Sequence, residues 1–138
     1  MAQDRQIDSI IKGLNDVATQ IIRKLALDIV ANLVKAASEG GTPVDTGWAR
    51  SNWLINIGSP ITTPAGEYGP APASTAALSA GQGSMLLYSV HQGPVWISNN
   101  VPYIVFLNEG SSKQAPAGFV QAAIERAVRG IRTIAGVS

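Results

Sequence analysis

The chain contains no cysteine. That excludes disulfides and thiolate metal sites, and it leaves the redox compartment open. A single histidine, His91, rules out a histidine-rich metal centre. It stands beside Gly93-Pro94 with no nucleophile motif nearby, so a Ser-His-Asp arrangement finds no support. Charge is scarce: 14% of the 138 residues are Asp, Glu, Lys or Arg, where a well-solvated monomer carries about a quarter. Between residues 51 and 108 the only charged side chain is Glu67, and the net charge is +1. Such a balance argues against a phosphate-neutralising surface for nucleic acid. The arginines near the C-terminus read as support for a helix dipole. No apolar run approaches the ~18 residues a membrane span needs. Asp8, Lys12, Asp16, Arg23 and Lys24 break up the first segment as they do in a helix and not in a signal peptide. The expectation is a soluble protein made in a cytoplasm. There is no glycine-rich phosphate loop and no internal repeat.

What is present is a chain long enough for one domain with its own core, 46% apolar. Ile7, Ile10, Ile11, Leu14, Val17, Ile21, Ile22, Leu25, Ile29 and Leu33 follow a helical stripe, with most charges on other faces. Leu27, Val30 and Val34 widen that face as a helix covered on two sides requires. Gly13 and Asn15 weaken the helix locally, so a frayed or kinked beginning is expected. Glu39-Gly40-Gly41 and then Thr42-Pro43 stop it. About thirty residues span roughly 45 Å, long for so small a domain. Its N-terminal turns are therefore expected to project and meet a neighbour.

A helical turn is expected from Trp48 to Ser51, with Asp45 as its N-cap, followed by a strand over Trp53, Ile55 and Ile57. Residues 59–84, rich in Pro, Ala, Gly, Ser and Thr, read as a long loop or arm that orders on assembly, with one helical turn at 74–79. Val95-Trp96-Ile97-Ser98 is a strand after a Gly93-Pro94 turn. A short helix begins near Pro102 and stops at Gly110. Pro116 suits the first turn of a closing helix that buries Phe119, Val120, Ala123, Ile124, Ala127, Val128 and Ile131. That helix leaves Glu125, Arg126, Arg129 and Arg132 outside. The tryptophans 48, 53 and 96 read as core or interface anchors, with core favoured for Trp53 and Trp96. Arg50 and Glu109 are lone charges near uncharged motifs, either an ion pair or two independent surface charges.

Asp45-Thr46-Gly47 is the tripeptide of aspartic proteases, where two such loops pair their carboxylates to activate water. One copy in a chain of this length would have to act as a homodimer. Those enzymes feed the triplet from a strand and follow it with a small residue. Here a long helix precedes it and Trp48 follows, so a helix cap explains the same residues.

Two blocks together resemble the tail-completion or neck protein family of tailed bacteriophages. The first is Pro43-Val44-Asp45-Thr46-Gly47-Trp48-Ala49-Arg50-Ser51-Asn52-Trp53. The second carries Asn100, Pro102 and Tyr103, and then Leu107-Asn108-Glu109-Gly110 through Gln114, Pro116, Gly118 and Phe119. They cover about a third of the chain; Asn108 stands where some members have glutamate. The resemblance implies an α+β domain in which a long N-terminal helix and a C-terminal helix pack on a small, mostly antiparallel sheet. It implies a structural virion protein without catalysis or cofactor. Copies would form a homohexameric ring between head connector and tail tube or terminator, with the genome passing through. A terminator capping the tail tube is the nearby alternative. Asp45, Thr46, Gly47, Trp48, Arg50, Trp53, Asn100, Pro102, Tyr103, Glu109, Gly110, Gln114, Pro116 and Gly118 are the motif positions expected to build the frame or its contacts.

Overall fold

The computed structural model describes residues 2–44, 47–69, 72–110 and 117–134. The fold is α+β: five helices, α1 Ala2–Val34, α2 Trp48–Ser51, α3 Pro72–Leu86, α4 Ile104–Asn108 and α5 Phe119–Ile134, with strands β1 Leu54–Ile57 and β2 Val95–Ser98, among the described residues. The strands pair antiparallel, Leu54 opposite Ser98 and Ile57 opposite Val95.

The apolar period carries α1 through Gly13 and Asn15 as one continuous helix, without the expected fraying. It ends at Val34, before the Glu39-Gly40-Gly41 stop, because the chain folds back on its last carbonyls. Thr42 gives both its N–H and its hydroxyl to the Leu33 carbonyl, at 2.9 and 2.7 Å, and Gly41 N–H reaches the Ala36 carbonyl at 3.0 Å. A 3-10 turn, Ala37–Glu39, fills the bend, and Gly40 leaves it at φ +92. A Cβ at Gly41 would lie 1.8 Å from the Lys35 carbonyl oxygen, so the bend closes only around glycine.

The core gathers Ala26, Val30 and Leu33 from α1, Trp53 and Ile55 from the β1 segment, Met85 and Tyr88 around the end of α3, and Phe119 and Ala123 from α5. Asn32 Nδ2 donates to the Ala123 carbonyl at 3.0 Å, and Arg126 and Ala127 line a recess with Asp28, Ala31, Asn32 and Lys35. Helix α5 thus packs on the C-terminal half of α1.

Four expectations are corrected. The stretch read as an arm is half helix: α3 runs for fifteen residues, because Gly81 lets its backbone lie against β1, where a Cβ would meet the Ile55 N and O at 3.1 Å. Small residues make that helix a close-packing element and not a loop. Trp96, expected in the core, is 43% exposed, since the register sets it opposite Asn56 on the open face of the sheet. Ile124 of α5 is 41% exposed, and Arg126, expected outside, is half-buried with its guanidinium on the Gly40 carbonyl at 3.4 Å. Helix α4 begins at Ile104, near Pro102 as expected, with Pro102 in the turn before it. The expected cap at Asp45 and the first turn at Pro116 lie outside the described residues; α2 starts after Gly47, at φ +90, and α5 after Gly118, at φ +82.

Candidate functional site

Local chemistry joins the two motif blocks into one frame. Asn99 Nδ2 donates to the Ala49 carbonyl at 2.8 Å, and its Oδ1 accepts from Val101 N–H at 3.1 Å. Val101 is thereby buried against Trp48 and Ala49. Trp48 and Tyr103 have ring centroids 6.2 Å apart, and Tyr68 completes a mutually tilted triangle at 6.1 and 6.4 Å. Such edge-to-face packing orients rings beyond what area burial alone does. Asn100 Nδ2 reaches across to the Ile61 carbonyl at 2.7 Å. Asn52, wholly buried, receives Ala65 N–H at 2.7 Å and donates to the carbonyls of Trp48 and Ala65 at 3.0 Å each. The segment after β1 is thus held against the first block by the Asn52 amide as well as by the packing of Tyr68 on Trp48.

Trp53 leaves this frame for the main core, 6% exposed, where its indole N–H donates to the Thr42 hydroxyl at 2.8 Å. Asn108, at the end of α4, accepts Val120 N–H on its side chain at 3.0 Å and Gly118 N–H on its carbonyl at 2.7 Å. It serves as a cap for α5 supplied by another helix, a role no local sequence pattern announces. Gly110, at φ +95, ends α4 as expected and bonds back to the Leu107 carbonyl at 3.2 Å. Pro102 is exposed at the surface, and Glu109 is exposed beside a recess of about 400 Å3 between α4 and α5. Arg50 is half-buried; the ion pairs among the described residues, Lys12–Asp16 and Lys24–Asp28, leave it apart from Glu109. Asp45, Thr46, Gln114 and Pro116 lie outside the described residues.

The buried polar side chains hold loops. Thr19 accepts Val90 N–H at 3.0 Å, and Ser74 shares a 2.6 Å hydrogen bond with Ser51. Among the described residues no cluster of His, Asp or Glu could hold a metal, and no helix is long and apolar enough to cross a membrane. The Lys12 ammonium is held above its ordinary range by its hydrogen bond to Asp16 and the attraction of that carboxylate, on the exposed side of α1.

The feature that chemistry leaves unexplained is apolar surface. Ile7, Ile10, Ile11, Leu14, Val17 and Ile21 are all exposed, Leu14 the most at 66%. They share one face of α1, N-terminal to the residues that build the core. At roughly 100 Å2 apiece they present about 600 Å2, most of the ~800 Å2 each partner contributes to a standard interface. Leu86 and Leu87 after α3, Val105 and Phe106 of α4 and Ile124 of α5 are exposed as well, with Val105 lining the α4–α5 recess. Isolated exposed apolar side chains are ordinary, whereas a continuous face of this size marks a contact. No protein family, no curated protein and no solved structure matches the chain.

Proposed function

We propose that the protein is a structural subunit of a tailed-bacteriophage virion, assembled as a ring, with six copies matching tail symmetry, that completes the tail at the head–tail junction. The observation that carries the reading is the apolar face of α1 over residues 7–21, which projects past the core of its own chain and needs a neighbour to cover it. The near absence of charge between residues 51 and 108 supports it, because such surface suits a subunit covered by other copies. So does the frame itself: among the described residues that carry the likeness to tail-completion proteins, Trp48 and Tyr103 pack together and Asn99 ties the second block to the Ala49 carbonyl. In this reading the protein is not an enzyme and takes no cofactor. Its partners are further copies of itself, the head connector and the tail tube or its terminator, and it resides in the virion after assembly in the host.

Gold labelling of purified virions with an antibody to the protein tests this. Grains at the head–tail junction are the expected result. Label along the tube or at the distal tip would refute the junction assignment, and unlabelled particles would refute the virion role.

A further inference from the structure

We infer that adjacent copies join by seating the exposed face of α1, residues 7–21, on the α4–α5 surface of the next copy. This rests on the reading of the chain as a ring subunit and names the two surfaces that make the ring. A closed ring needs a head-to-tail contact between unlike patches; two identical patches meeting about a two-fold axis stop at a dimer. Besides the α1 face, the described residues expose an unlike apolar surface on α4 and α5. One is a ridge: Ile7, Ile10, Leu14, Val17 and Ile21 recur at alternating spacings of three and four, all exposed. The other is a groove of about 400 Å3, lined by Trp53, Ile104, Val105 and Val120 with the amides Asn108 and Gln121. Val105 and Phe106, each 60% exposed, and Ile124 add apolar surface on the same two helices. An amphipathic helix laid by its apolar face into such a groove is a recurring mode of recognition.

The area agrees with this pairing: the six exposed residues of the α1 face present about 600 Å2, most of the ~800 Å2 each partner contributes to a standard interface. Gln6, Gly13 and Gln20 flank the ridge on one side and Asp4 and Asp8 on the other, while Lys12 and Asp16 are engaged with one another. Among the described residues that line the groove Glu109 is the single charge, and it is exposed. Within its own chain α1 is covered by α5 only in its C-terminal half, so the ridge is presented well clear of the body that carries the groove.

Complementation between two full-length variants tests the contact. Leu14→Asp removes the ridge and leaves the groove; Phe106→Asp does the reverse. Both positions are exposed, and unchanged circular dichroism and melting temperature verify the folds, with Val105→Lys as a second groove variant. By light scattering after size exclusion, the wild type is expected as an oligomer and each variant alone as a monomer. An equimolar mixture is expected to give a one-to-one dimer, because one intact ridge and one intact groove remain between the two. A mixture that stays monomeric overturns the inference, as does a groove variant that assembles like the wild type, the result a ridge-to-ridge pair would give. A wild-type chain that is monomeric at the highest concentration reached also overturns it. The virion role stands or falls separately on the gold labelling, which is indifferent to how copies meet.

Discussion

Replacing Thr42 by valine probes the joint between the end of α1 and the strand that leads to the motif frame. The Thr42 side chain is fully buried, donates to the Leu33 carbonyl at 2.7 Å and accepts the Trp53 indole N–H at 2.8 Å. Valine keeps the shape and removes both bonds. The Leu33 carbonyl retains Thr42 N–H at 2.9 Å, so the loss falls on the indole N–H, left buried with no acceptor. A buried donor without a partner costs about 1–3 kcal/mol, which sets the expectation at about 2 kcal/mol. For a chain of this size that is a fall of roughly 6 °C in melting temperature. Thr42→Ser keeps the hydroxyl and loses one methyl, about 1 kcal/mol. Equilibrium urea unfolding at fixed protein concentration gives both values, with the slope of the transition expected unchanged. In a Trp53→Phe background the valine substitution is expected to cost much less, since the donor is already gone, and the double-mutant cycle isolates the coupling. Valine at least as stable as serine in the wild-type background, or a cost unaltered by Trp53→Phe, would refute the account of this joint.

Two further outcomes follow from the packing and the charges. Gly81→Ala is expected to destabilise by about 1–3 kcal/mol, because its Cβ would press on the backbone of Ile55 at 3.1 Å. Gly83→Ala, two residues along the same helix in open space, is expected to stabilise by up to ~1 kcal/mol. Thermal melts decide, and equal effects at the two positions would contradict the close approach of α3 to β1. The Lys12 amine, raised above its ordinary 10.5 by Asp16, holds its contact at lower pH and loses it as pH rises through the raised value. Asp16→Asn should return its NMR titration to the ordinary range without moving the melting temperature at neutral pH. A titration that ignores Asp16→Asn would contradict the pairing.

Local pattern was enough for much of this molecule. The stripe from Ile7 to Leu33 marks α1 because only a helix places residues three and four apart on one face. Alternation at 54–57 and 95–98, each beside glycine and proline, marks the two strands. Gly110 marks the end of α4, since a positive φ is reached there without a side-chain penalty. The candidate frame was legible as two motifs, although nothing local says that Asn99 reaches the Ala49 carbonyl fifty residues back.

Other features depend on which surfaces meet, and a residue's neighbours in sequence do not contain that. Helix α3 has the composition of a loop and is a helix because Gly81 fits against Ile55 and Ser74 finds Ser51. Trp96 is exposed although its residue type favours the core, because the pairing of β1 with β2 sets it opposite Asn56. Asn108 caps a helix to which it does not belong. The apolar stripe of α1 is uniform along the chain, yet α5 and the sheet cover only its second half. The sequence alone determined that this helix is amphipathic from end to end. Tertiary structure decided which part of its apolar face is core and which is surface, because burial depends on the opposing element and not on the residue alone.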